Sequence, residues 1–265
     1  MNRYQLIALD VDGTLLTDDH ELTEATRSAV RQAHEAGATI VLCTGRGPGN
    51  AIPVLEELGL EGTVITHNGS ATVRSSDRAV VHSFPFDPQD LDYFIRYCNE
   101  HRLHYDVSTP RDLHIFYDLP EEGYALYEKF LITPIRLEHV GALAEQPVKF
   151  TVFSEDPAEL DRVEAAWREV DSPLLVLRSG EQFIDVMHPE ASKGNALRVL
   201  ADSLGIDRTQ VLAMGNYFND LDMLRFAGFG IAMDNSPEEV KRAADEVTLS
   251  NNEDGVAAAL RRHCQ

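Results

Sequence analysis

Short, wholly apolar runs alternate along this chain with stretches whose apolar residues recur every three or four positions. The run LIALD (6–10) predicts a buried strand. TEATRSAVRQAHEAG follows, setting Ala25, Ala29, Val30 and Ala33 on one helical face before Gly37, a residue suited to a helix C-terminus. TIVLCTG (39–45) and GTVITHNG (62–69) predict two further buried strands, and strand, helix, strand in that order predicts parallel βαβ units. The alternation returns near the C-terminus. SKGNALRVLADSLG predicts a helix capped by Ser192, with Leu197, Leu200, Ala201 and Leu204 on one face and Gly205 at its end. VLAMGN (211–216) and GFGIAM (228–233) predict strands, with a helix opening at NDLDML between them and another starting at NSPEEV with Pro237 first.

The middle of the chain has another texture. LHYDVS, LHIFYD and VKFTVFS alternate polar with apolar residues, which predicts an antiparallel sheet with one covered face. FDPQDLDYFIRYCNE and EDPAELDRVEAAWRE each place Asp-Pro at a helix start (Asp87-Pro88, Asp156-Pro157), with Leu91, Phe94, Ile95 and Leu160, Val163, Trp167 at helical spacing. A duplicated unit and two helices sharing common N-terminal chemistry both explain that echo. The expected organisation is a parallel α/β core from residues 1–83 and 187–265, with residues 84–186 as a folded insertion.

Length and composition narrow the partners. The 265 residues suit one large domain or two, and 43% hydrophobic with 25% charged residues is ordinary for a globular chain. A formal net charge of -21 repels nucleic acid and anionic membrane, so neither is an expected partner. An anionic substrate would need positive potential made locally. Cys43, Cys98 and Cys264 form no CxxC pair, which argues against a zinc ribbon or disulfide framework and fits a reducing compartment. The opening MNRYQLIALDVDG has no signal-peptide pattern and no run is long enough to span a bilayer, so a cytoplasmic location is expected. Monomer and dimer both stay open.

Four polar clusters fall at the ends of predicted strands or at helix starts, where open parallel sheets bind ligands. Asp10 and Asp12 follow the first strand, Thr44-Gly45-Arg46 the second, Ser192-Lys193-Gly194 opens a helix, and GNYFND (215–220) follows a later strand. Two carboxylates leaving a buried strand repel each other unless something positive lies between them. Mg²⁺ suits that place, with oxygens from Asp10, Asn216 and Asp220. Lys193 can neutralise a phosphate, Thr44 offers a hydroxyl, Gly45 an N–H, and Gly13 allows a sharp turn toward an anion.

In order, DVDGTLL, TGR, SKG and GNYFND resemble the four motifs of the haloacid dehalogenase superfamily, and the insertion between the second and third resembles the C2B-type cap of its Cof-type, sugar-phosphatase-like branch. The resemblance implies a Rossmann-like core with an inserted α/β cap, and a Mg²⁺-dependent phosphatase acting on a small phosphorylated metabolite such as a sugar phosphate. It implies Asp10 as the nucleophile that becomes an aspartyl phosphate, and Asp12 as general acid, then base, with its carbonyl at the metal. Thr44 and Lys193 would hold the phosphoryl group, assisted by Asn219 and the backbone of Val11 and Gly45. The metal would take Asp10, Asp12, Asn216 and Asp220.

The family usually has aspartate where this chain has Asn216, so the metal site loses a charge. A phosphomutase using the same aspartyl phosphate and a non-catalytic sensor of phosphate ligands are the rival readings. Asn68 in HNGS reads equally as a turn residue or a substrate contact. Tyr105, His114, Phe116 and Tyr117 read as pocket lining or as core of the insertion. The 10 histidines are scattered, with His20 beside Asp18 and Asp19, and no pair shows metal-ligand spacing joined to an acidic cluster.

Overall fold

The computed structural model describes residues 3–119, 124, 127, 128, 132–180 and 182–264. Eight strands make the larger sheet: β1 (Leu6–Leu9), β2 (Thr39–Cys43), β3 (Thr63–Thr66), β4 (Ala71–Arg74), β5 (Val80–Ser83), β12 (Val211–Gly215), β13 (Phe229–Ala232) and β14 (Glu246–Val247), in the order β14-β13-β12-β1-β2-β3-β4-β5. β1 lies between β2 and β12, with Leu6 opposite both Thr39 and Val211. The strands run parallel from β14 to β3. β4 and β5 continue antiparallel, an extension that no apolar run announces.

Burial on both faces explains why β1 is wholly apolar. Ile7 and Leu9 pack with α1 (Glu24–Glu35), α2 (Pro48–Glu57) and α8 (Gly255–His263). Leu6 and Ala8 pack on the other side with α5 (Lys193–Leu204), α6 (Leu221–Phe226) and Val240 of α7 (Glu238–Ala243). Two helical details differ from expectation. Leu204 is 48% exposed, and Ala196 takes its place in the buried stripe, because Leu204 closes the last turn beyond the sheet. Pro237 caps α7 from just outside, with Glu238 as the first helical residue.

The second sheet has six strands: β6 (His104–Ser108), β7 (Leu113–Ile115), β8 (Ile135–Arg136), β9 (Lys149–Phe153), β10 (Leu175–Arg178) and β11 (Phe183–Met187), in the order β10-β11-β9-β6-β7-β8. It is antiparallel except where β7 meets β8 in parallel. Its apolar face packs on α3 (Asp92–His101) and α4 (Pro157–Arg168), with Phe94 edge-on to Trp167 at 4.8 Å. Asp87 accepts the Gln89 N–H before a 3₁₀ turn that leads into α3, and Asp156 accepts the Ala158 N–H at the start of α4. Tyr105 lies in this core, with Phe116 and Tyr117 packed against it; the His114 ring meets the Val107 carbonyl at 3.3 Å.

The opposite, polar face is not open. Asp106, Ser108, Thr151 and Asp185 are all buried, and the turn His67–Ser70 between β3 and β4 meets β11 on this face. Asn68 Nδ2 donates to Asp185 Oδ2 at 3.0 Å and the Ser70 hydroxyl meets Met187 Sδ at 3.3 Å. Alternation reports which positions are polar, and not whether distant chain covers them. No helix among the described residues is long and apolar enough to cross a membrane.

Candidate active site

β1 delivers Asp10 to the carboxyl edge of the larger sheet, where its N–H donates to the Met214 carbonyl at 3.0 Å. α5 delivers Lys193 as its first residue, behind Ser192, whose hydroxyl accepts the Asn195 N–H. Lys193 is only 1% exposed and donates to Asp10 Oδ1 and Asp220 Oδ1, each at 2.6 Å. A buried ammonium is tolerable only when paired, and here the two carboxylates hold the lysine's pKa above its ordinary value against burial. One lysine between two carboxylates leaves a net negative charge. Burial, and then the charge of Asp220, accordingly push the Asp10 carboxyl up to about 7, with Lys193 opposing. The triad calls for one more positive charge, a proton or a cation.

Asp12 leaves this triad and turns to the rim. Arg46 clamps it through Nε to Oδ2 at 2.8 Å and Nη2 to Oδ1 at 2.5 Å, with His20 Nδ1 at 3.5 Å. Gly13 between them has φ +75, and a Cβ there would lie 2.4 Å from the Asn216 carboxamide. Only glycine permits that approach. Thr44 is buried, and its hydroxyl accepts the Arg46 N–H at 3.1 Å, which shapes the TGR turn.

Asn216 satisfies its neighbours when its nitrogen faces the Asp12 carbonyl and Asp10 Oδ2, each at 3.1 Å, and the Thr14 hydroxyl at 3.2 Å. Asp220, expected at the metal, has both carboxylate oxygens engaged by protein groups. Its Oδ2 accepts the N–H groups of Asn216 and Tyr217 at 2.8 and 3.0 Å while Oδ1 accepts from Lys193, so it seats the lysine and the loop. Asn219, expected at the phosphate, lies on the same turn. Its amide donates to Asn68 Oδ1 at 3.0 Å and so braces that residue.

The family profile of the haloacid dehalogenase-like hydrolases matches residues 7–260. The chain belongs to that family. YxeH of Bacillus subtilis (strain 168) is 38% identical over 274 residues, covering 97% of each chain. The 5-amino-6-(5-phospho-D-ribitylamino)uracil phosphatase YwtE of the same organism is 30% identical over 277 residues, covering 95% of each. The crystal structure of a haloacid dehalogenase-like hydrolase from Bacteroides thetaiotaomicron superposes with a TM-score of 0.85 at 28% identity, covering 98% of this chain and 99% of its own. The α/β architecture with a parallel core is therefore that of a haloacid dehalogenase-like hydrolase.

Within this family member, Asp10, Asp12, Thr44, Gly45, Lys193, Asn216 and Asp220 gather at one sheet edge, and Asn219 joins them through Asn68. Among the described residues no three His, Cys, Asp or Glu side chains group to hold a metal. Two oxygens do converge, Asp10 Oδ2 and the Asp12 carbonyl, with the Asn216 carboxamide 3.1 Å from both so that a half-turn brings its oxygen to the same place, beside a triad of excess negative charge. Hard oxygens, few in number, fit Mg²⁺ and leave room for water and phosphate oxygens.

Sequence reasoning gave Arg46 no role of its own and left Asn68 open. Asn68 sits among three successive residues of positive φ, His67 at 52, Asn68 at 56 and Gly69 at 94. A Cβ at Gly69 would meet the Ser192 carbonyl at 2.1 Å, so HNG was the legible signal of a strained, closely packed turn.

Proposed function

We propose that the chain is a Mg²⁺-dependent phosphatase acting on a small phosphorylated metabolite such as a sugar phosphate. The observation that carries this reading is the Asp10–Lys193–Asp220 triad, whose uncompensated charge sits at the strand ends. An Asp10 oxygen attacks phosphorus as the bond to the leaving oxygen breaks. Asp12 gives that oxygen a proton, then takes one from water, whose oxygen attacks the aspartyl phosphate. Inorganic phosphate leaves and the Asp10 carboxylate is restored. Lys193, Thr44 and the backbone N–H groups of Val11 and Gly45 hold the phosphoryl oxygens, in the way such transfers are stabilised.

Asp10, the Asp12 carbonyl and Asn216 would hold Mg²⁺, which supplies positive charge to the phosphoryl oxygens. Residues 84–186 act as a cap that shields the site from water during transfer; the contact of Asp185 with Asn68 supports that reading. The phosphatase name borne by YwtE supports the reaction type. The test is release of free phosphate from p-nitrophenyl phosphate. EDTA and Asp10→Asn are each expected to abolish it. Activity that survives either one overturns the mechanism, and a strict need for a bisphosphate activator without phosphate release makes the protein a mutase.

A further inference from the structure

The polar face of the second sheet carries buried groups that the protein itself leaves unsatisfied. Residues two apart share a face, and the register aligns Asp106, Thr151 and Asp185 in one row and Ser108 with Lys149 in the next. Asp185 is complete: Thr151 donates to its Oδ1 at 2.9 Å and Asn68 to its Oδ2 at 3.0 Å. Asp106 is not. It is 7% exposed, its Oδ1 has no hydrogen-bond partner among the described residues, and Tyr127 reaches only Oδ2, at 3.4 Å.

The Ser108 hydroxyl is buried and unpartnered as well, and so are both ring nitrogens of His67 on the facing segment. Lys149, opposite Ser108 in the register, has its ammonium 3.8 Å from Asp185 Oδ1, and its charge acts on Asp106 and on His67. Native proteins leave few buried polar atoms unmet, since each costs stability. Several around one point on a covered face mark a place completed by a ligand. Asn68 joins that place to the phosphate loops, because it bonds both Asp185 and Asn219 and lies 3.0 Å from a Cβ position at Gly45.

Carboxylate, hydroxyl, imidazole and ammonium together offer acceptors and donors side by side, which matches adjacent hydroxyl groups that both give and take hydrogen bonds. A second phosphate would meet Asp106 and Asp185 against a single ammonium. An aryl or alkyl group would leave the orphaned atoms unmet. We propose that Asp106 is the specificity-determining residue for the leaving alcohol: its Oδ1 accepts a hydrogen bond from a hydroxyl of a sugar or polyol monophosphate, and Ser108 and Lys149 hold neighbouring hydroxyls. This rests on the phosphatase reading above.

The test compares sorbitol 6-phosphate with p-nitrophenyl phosphate, which has no hydroxyl, in the full-length protein. Asp106→Ala is expected to lower kcat/KM for sorbitol 6-phosphate by about ten- to a hundredfold, as loss of a hydrogen bond to a charged group does, and to leave p-nitrophenyl phosphate within about twofold. Asp106→Asn, which keeps a carbonyl acceptor, is expected to recover part of the loss. Equal losses on both substrates, or no loss on either, overturn the proposal. Calorimetric titration of sorbitol 6-phosphate into Asp10→Asn, with and without Asp106→Ala, separates the two readings. Affinity that falls at least tenfold supports the subsite even if the wild type hydrolyses nothing, and unchanged affinity overturns it.

Discussion

Arg46 holds Asp12 by both carboxylate oxygens, and its Nη1 donates to the Asn50 carbonyl of α2 at 3.3 Å, so the fork is braced on a helix. Asp12 is 45% exposed, and exposed pairs add little to stability. The contribution of the clamp is therefore orientation. Arg46→Ala is expected to leave the melting temperature nearly unchanged and to lower kcat about tenfold with little change in KM. Arg46→Lys is expected to restore only part, because an ammonium lacks the planar fork. Steady-state kinetics decide the matter: a raised KM with kcat intact removes Arg46 from the presentation of Asp12.

Lys193 separates two buried carboxylates, and its removal leaves them facing each other. Lys193→Met is expected to lose activity and about 3–5 kcal/mol of stability, the usual cost of breaking a buried pair. The loss is expected to be larger at pH 8.5 than at pH 5.5. Acidification protonates Asp10, whose carboxyl already lies near 7, and so relieves the repulsion. Urea unfolding at the two pH values checks this, and an equal loss at both would show that the carboxylates do not depend on the ammonium.

Asn216 carries a second role that aspartate could not. Its amide nitrogen faces Asp10 Oδ2 and the Asp12 carbonyl, and so supplies the positive end that these oxygens need before a cation arrives. Asn216→Asp is expected to lower the Mg²⁺ concentration for half-maximal rate, since a carboxylate attracts the ion more strongly. The same variant is expected to melt below the wild type in EDTA, and to recover in Mg²⁺. Melting curves under both conditions separate the two effects, and an unchanged Mg²⁺ dependence would show that residue 216 is no ligand.

Burial pushes the Asp106 carboxyl up from 3.8 to about 7, while Lys149 pulls it back. Across that window the folded chain keeps a proton that the unfolded chain releases, so this residue's contribution falls as pH rises through about 7 and is fully present below about 4. Asp106→Asn removes the titration. The stability of the wild type relative to Asp106→Asn is expected to drop as pH rises from 4 to 7, by at most about 1.4 kcal/mol per pH unit. A pH-independent difference in chemical unfolding would show that Asp106 keeps its ordinary titration in the folded chain.

The parallel core was legible because its signals are local: a strand buried on both faces is wholly apolar, and each helix stripe repeats within a few turns. Asp10 and Asp220 stand out the same way, as polar residues past apolar runs, and Lys193 as part of a helix start. What escaped depends on distant chain. Nothing near Asp185 or Met187 in sequence says that residues 67–70 meet them. Val80 to Ser83 alternate too weakly to announce an antiparallel edge strand, and the parallel meeting of β7 with β8 spans a long connection. The carboxylate of Asp220 is visible in the sequence, whereas the N–H groups of Asn216 and Tyr217 that donate to it are not.

The placement of β1 between β2 and β12 also governs how the chain is made. Leu6 to Leu9 gain their second neighbour only from residues 211–214, some 200 positions later in the chain. Until then a wholly apolar strand keeps one bare edge, the kind of surface that recruits other chains. A fragment ending after β11 would hold Asp10, Asp12, Arg46 and the second sheet, and is expected to aggregate. Supplying residues 188–265 as a separate chain closes that edge and brings Lys193 to Asp10 in the same event, so solubility and activity should return together.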